Sequence, residues 1–160
     1  MKKLLLILMI GVVFMSCAKE DKVAVISTKF GNMIVEFYDD VAPMHVESFK
    51  ILADEGYFNK TTFHRVIPGF VIQGGDPNSK DDDRMNDGTG GRAGKFFGIG
   101  REDDPASWNL PAEFNDKEHV KGTLSMARSS NPNSGSSQFF ICHAATPQLN
   151  NQYTLSLIHI

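Results

Sequence analysis

Residues 63–76 read Phe-His-Arg-Val-Ile-Pro-Gly-Phe-Val-Ile-Gln-Gly-Gly-Asp, and this run constrains the fold more than any other part of the chain. Its β-branched and aromatic residues specify two strands, and Pro68-Gly69 breaks them with a turn or bulge. Arg65, Phe70 and Gln73 are set among apolar strand residues, so a fixed cation and an amide share a wall with an aromatic ring. Alternation along Phe70-Val71-Ile72-Gln73 sends Phe70 and Ile72 to one face and Val71 and Gln73 to the other. A second block has the same mixture of apolar strand and polar punctuation: Leu124-Ser125-Met126-Ala127-Arg128, then Ser136-Ser137-Gln138-Phe139-Phe140-Ile141.

Between and before these blocks the chain is organised as one domain. Val23 to Ile26 and Met33 to Tyr38 are predicted strands joined through Gly31-Asn32, a hairpin signal. Pro43 opens a helix in which Val46, Phe49 and Ala53 recur at helical spacing, and Gly56 stops it. A long irregular region runs from Pro77 to about Pro111, and further strands are predicted at Gly122–Ala127 and Gln138–Ile141. Strands, one early helix and glycine-rich turns make the chain mainly β, a barrel with helical plugs.

Several function classes lose support at once. A formal net charge of −3 argues against nucleic acid as a partner. The five histidines lack the paired spacing of zinc sites. Asp81, Asp82, Asp83 and Asp87 fit no EF-hand loop and read as a solvated acidic turn. Gly88-Thr89-Gly90-Gly91 lacks the strand-to-helix context of a phosphate loop. A hydrolase using His64 or His143 with a serine lacks a nucleophile elbow.

The N-terminal residues read as a targeting signal. Lys2 and Lys3 precede an apolar run from Leu4 to Met15, of secretory length and short for a membrane span. It ends at Phe14-Met15-Ser16-Cys17, which resembles a bacterial lipobox, although Phe14 is bulkier than the usual residue there. The expectation is a signal peptide over 1–16, a lipid on Cys17, a tether over 17–22 and a location on the bacterial cell envelope, facing the periplasm or the outer surface. An ordinary signal peptide or an uncleaved anchor is the alternative. With Cys17 lipidated, Cys142 has no disulfide partner, and its apolar neighbours give it a packing role.

The two blocks closely resemble the signature segments of the cyclophilin family of peptidyl-prolyl cis-trans isomerases, and the resemblance runs from about Val23 to Tyr153. It implies a closed eight-stranded antiparallel barrel with two capping helices. Matched to that pattern, the sequence is expected to lack its C-terminal strands and second helix. The resemblance makes residues 23–153 an incomplete isomerase domain and leaves 154–160 as an atypical tail, foreign or truncated, or else one more paired strand.

The resemblance also implies rotation about X-Pro bonds, with no cofactor and no metal, by a monomer acting on proline-containing polypeptides. The barrier to that rotation is about 18–20 kcal/mol and arises from amide resonance. Raising the rate from about 0.01 to about 1,000 per second takes roughly 7 kcal/mol of transition-state stabilisation. A donor aimed at the nitrogen of the twisted bond, in a site that excludes water, supplies it. Arg65 is the candidate donor, since a guanidinium is planar and multidentate.

Matched residue by residue, Phe70, Phe140 and Leu149 fall on the proline pocket. Val71 falls where many members have methionine, and the smaller valine is expected to widen or loosen the pocket slightly. Gln73 and Gln138 match the glutamines that hold the arginine or the substrate backbone. Ala127 and Arg128 match the segment that bonds substrate through its main chain, where many members have asparagine at the second position. Gly88 begins the segment that lines the substrate groove, and His64 packs in support of Arg65. Gln148 replaces the tryptophan of cyclosporin-sensitive members, so weak binding of that drug is expected. The competing expectation is a proline-peptide-binding chaperone module without turnover.

Overall fold

The computed structural model describes residues 22–159. The segment expected to be a signal peptide, Cys17 and all of the tether except Lys22 lie outside these residues. Seven antiparallel strands form one curled sheet: β1 Val23–Thr28, β2 Gly31–Phe37, β3 Arg65–Ile67, β4 Val71–Gly74, β5 Thr123–Met126, β6 Phe139–Cys142 and β7 Leu155–His159. Their order is β1-β2-β7-β5-β6-β4-β3. The result is half of a barrel, with seven strands where the resemblance implied eight in a closed ring. Its free edges are β1 and β3.

The residues expected as an atypical tail form β7, an interior strand of this sheet. β7 pairs with β2 on one side and β5 on the other, and Leu155 and Leu157 are buried. The apolar run therefore pairs as a strand, one of the two readings its sequence allowed.

The first hairpin turns two residues earlier than its glycine suggests. Thr28 pairs with Gly31, which leaves Lys29 and Phe30 at the tip. The Thr28 hydroxyl closes this turn, accepting from Phe30 N–H at 3.1 Å and donating to Gly31 O at 2.9 Å. That local bonding outcompetes Gly31-Asn32 as the turn.

The only α-helix among the described residues, α1 Pro43–Asp54, starts at its proline as expected. Its N-cap position, Ala42, has no side chain able to cap. The Glu113 carboxylate, far along the chain, accepts instead from Met44 N–H at 3.1 Å and His45 N–H at 2.9 Å. It also bonds His45 Nδ1 at 2.8 Å. Burial alone would raise the Glu113 pKa, but the bonds from His45 and Met44 outweigh it and hold the carboxyl below its ordinary value. At the other end Gly56, at φ +69°, lets Gly56 N–H reach Ala53 O and Tyr57 N–H reach Leu52 O, a Schellman stop. The buried face uses Val46, Phe49 and Leu52; Ala53, expected there, is exposed. Leu52 follows Phe49 by three residues and meets the stripe as well as a fourth-residue step would.

The two faces of the sheet carry different cores. One holds Val35, Leu124, Phe139, Ile141 and Leu157, packed with Phe49 of α1 and with Ile72. Phe49, Phe58 and Phe139 form a ring cluster there, with centroids 4.9 to 5.9 Å apart. The opposite face holds Val71, Phe140 and Cys142, flanked by Phe70, Ala127, Leu149 and Tyr153. That second face is where chemistry is possible.

Candidate active site

Strand register assembles the site. Arg65 pairs with Gln73 across β3 and β4, Gln73 with Phe140 across β4 and β6, and Phe140 with Ser125 across β6 and β5. Residues directly opposite in neighbouring strands share a face, so these four lie in one row on the second face.

Above the row opens a cavity of about 270 Å³ lined by Arg65, Phe70, Val71, Gln73, Ala127, Arg128, Phe140, Leu149 and Tyr153. Its floor is apolar, and Arg65 stands exposed at one side. A relay of amides orients that guanidinium. Arg65 Nη1 donates to Gln73 Oε1 at 3.3 Å, Gln73 Nε2 to Gln138 Oε1 at 3.0 Å, and Gln138 Nε2 to Gly90 O at 2.7 Å. Because the Gln73 nitrogen is engaged by Gln138, its oxygen must face Arg65.

Gly90 can approach this closely only without a side chain, since a Cβ there would meet Asp76 Oδ1 at 2.5 Å. Asp76 itself is fully buried and accepts from Asn78 N–H at 2.9 Å and from Gly88 N–H, tying the long loop to the end of β4. The loop is therefore a fixed brace for the relay.

The other side of the cavity is made of turns. Ala127 N–H donates to Gln138 O at 2.9 Å, so its carbonyl is the main-chain group left to meet a ligand. Arg128 donates through Nε at 3.0 Å and Nη2 at 2.8 Å to Gln152 O, and through Nη1 at 2.8 Å to Ser129 O. Its guanidinium carbon lies 4.6 Å from the Tyr153 ring centroid, a cation–π contact. Tyr153 in turn meets Phe140 edge-on, at 5.5 Å and 83°.

Beneath Phe140 lies His119, stacked at 6.1 Å and 19°. Its Nδ1 is 3.0 Å from Asn150 Oδ1 and its Nε2 3.1 Å from Ser125 Oγ. Burial pushes the His119 pKa below its ordinary value, and the Asn150 bond offsets part of that. The ring is neutral near pH 7.

Of the residues singled out from sequence, Arg65, Phe70, Val71, Gln73, Ala127, Arg128, Phe140 and Leu149 come together around the cavity. Phe70 does so against the alternation that placed it opposite Val71. It belongs to the turn before β4, where period-two alternation does not apply, and its N–H donates to Ile67 O at 3.0 Å. Gln138, His64 and Gly88 do not line the cavity. Gln138 acts on it through Gln73. His64 packs against Gly88, with both ring nitrogens buried and lacking a partner among the described residues. Gln148 is exposed in the turn Pro147–Leu149. Tyr153 and His119 were missed. Tyr153 N–H bonds back to Leu149 O at 3.3 Å, in a turn that no strand or helix period in the sequence reaches.

Residues 23–155 match the family model described as cyclophilin type peptidyl-prolyl cis-trans isomerase/CLD. The chain belongs to the cyclophilin-type peptidyl-prolyl cis-trans isomerases. A probable peptidyl-prolyl cis-trans isomerase of Brucella abortus is 42% identical over 140 residues, covering 88% of this chain and 67% of the relative. A peptidyl-prolyl cis-trans isomerase of Synechococcus elongatus is 39% identical over 131 residues, covering 82% of this chain and 75% of that one. Among solved structures, a cyclophilin of Cryptosporidium parvum crystallised in the presence of the dipeptide Ala-Pro has a TM-score of 0.72 and 32% identity. That match covers 87% of this chain and 78% of the other.

Proposed function

We propose that this cyclophilin turns X-Pro bonds by seating the proline ring on Phe70, Val71, Phe140 and Leu149 while Arg65 engages the prolyl carbonyl and approaches the imide nitrogen. The observation that carries the reading is the juxtaposition of an oriented guanidinium with an apolar floor in one cavity. Rotation breaks no σ bond and moves no proton, so the protein's task is to favour the twisted amide. As the bond twists, its nitrogen regains a lone pair, and a donor already aimed there gains strength only in the transition state. Gln73, fixed by Gln138, keeps the donor from reorganising during the turn. Ala127 O is suited to hold the substrate backbone.

The natural substrates under this reading are exported polypeptides, met at a cell envelope to which the protein is tied by a lipid on Cys17. The support is the basic, then apolar, then Ser16-Cys17 pattern of residues 2–17. Loss of the protein from the membrane fraction in Cys17→Ser cells is the expected result; retention there would refute the anchor.

The catalytic reading is tested by X-Pro isomerisation kinetics of the wild type and Arg65→Ala. The variant is expected to lose about 100-fold or more in kcat/KM, the usual scale for one transition-state donor, with an unchanged melting curve. Equal rates would reduce the cavity to a peptide-binding groove.

A further inference from the structure

The chain has five arginines. Arg84 pairs with Asp87, Arg92 with Glu55 and Arg101 with Asp104. Arg65 and Arg128 pair with no carboxylate among the described residues, and these are the two that line the cavity. The formal net charge of the chain is −3, so the cavity carries charge opposite to the molecule as a whole. A cleft lined by one sign of charge concentrates ligands of the other.

Building on the isomerase reading, we propose that Arg128 makes the pocket selective for X-Pro segments in which the residue before the proline is Asp or Glu. Position supports this side of the proline. The order β3-β4-β6-β5 puts Arg65 three strand spacings from the chain leaving β5, about 14 Å at the backbone. Arg65 takes the prolyl carbonyl, which follows the proline ring. A peptide crossing the cavity then brings the residue before the proline to the Arg128 side.

Orientation supports it too. The carbonyls of Gln152 and Ser129 and the Tyr153 ring fix the guanidinium plane without cancelling its charge. A guanidinium has five N–H donors, and one hydrogen on Nη2 keeps no acceptor from Gln152. A carboxylate therefore meets a charge already held in place, which limits the side-chain entropy lost on pairing. The rival role, a clamp for Tyr153 alone, is indifferent to the charge of the substrate.

The experiment measures kcat/KM for peptides that differ only in Glu, Gln or Lys before the proline. The purified wild type is expected to favour Glu over Gln about three- to fivefold at low salt, the scale of one exposed ion pair, with Lys below Gln. The ratio should fall toward one in about 1 M salt, where charges are screened beyond roughly 3 Å. In Arg128→Gln the Glu-to-Gln ratio should also fall to near one, whatever happens to the absolute rate. The salt series needs no variant, so it stands even if Arg128→Gln folds poorly. Equal rates for Glu and Gln in the wild type would overturn the proposal and leave the isomerase reading intact. A preference that survives Arg128→Gln would overturn the assignment to Arg128. No turnover of any peptide would overturn the isomerase reading and the selectivity with it.

Discussion

The two sides of the cavity are built in different ways. Arg65, Gln73 and Phe140 stand where they do because β3, β4 and β6 are hydrogen-bonded in a set register. Arg128, Leu149 and Tyr153 come from turns, and side chains hold them: one guanidinium reaching Gln152 O, 24 residues away, and one ring-to-ring contact. A backbone ladder tolerates most single substitutions in its side chains, whereas a wall tied by side chains depends on each tie. The strand-built side therefore sets where catalysis occurs, and the turn-built side sets how the pocket is shaped.

Phe140 belongs to both sides, so its removal has the largest expected effect. Phe140→Ala should cost about 3–5 kcal/mol of stability in urea unfolding, as for other buried aromatic truncations. A loss below about 1 kcal/mol would mean that the two sides do not share this ring. Gln138→Leu attacks the strand side alone by leaving Gln73 Nε2 without its acceptor. Loss of about 1.4–2 kcal/mol of transition-state stabilisation is expected, a 10- to 30-fold fall in kcat with KM changed less. A pure KM effect would contradict the relay.

Glu113 tests the support behind the turn side, since its N–H donates to Thr154 Oγ1 at 3.0 Å, next to Tyr153. Its carboxyl titrates below its ordinary value when folded. A depressed carboxyl stabilises the fold above its unfolded pKa, and this contribution is lost as pH falls through the folded value. Glu113→Gln should lower stability by about 1–2 kcal/mol near pH 7 and flatten the acid side of the stability–pH curve. An unchanged acid limb would show that another group controls it. The smallest change is expected for Tyr153→Phe, which keeps the ring under Arg128 and Phe140; kcat/KM should stay within about twofold, less than 0.5 kcal/mol. A tenfold loss would assign the hydroxyl a role that the cavity geometry does not give it.

The same contrast explains what the sequence made legible. Period-two patterning and the Phe63–Asp76 run carried the strands and, through the family resemblance, most of the cavity lining. Where the pattern stopped, so did the inference. Alternation puts Phe70 on the wrong face because Phe70 lies in a turn, whereas the family resemblance puts it in the pocket, where it stands. The relay role of Gln138 needs Gly90 of the long loop, and the α1 cap needs Glu113, 68 residues from His45. Such partners are set by tertiary approach, and no local spacing records them. Tyr153 lies after the last predicted strand, in a turn whose geometry depends on Arg128. Strand β7 was ambiguous for another reason: a short apolar run has no period strong enough to say whether it pairs.

The most direct test of the central claim is the activity of Arg65→Lys. Lysine keeps the charge but has no planar fork for Gln73 to orient, and its three N–H donors share one nitrogen, so they do not span from the prolyl carbonyl to the imide nitrogen in a fixed geometry. If the oriented guanidinium stabilises the twisted amide, kcat/KM of Arg65→Lys should drop close to that of Arg65→Ala, with the fold intact. Activity near wild type would show that any positive charge beside the apolar floor suffices, and would contradict the relay as the basis of catalysis.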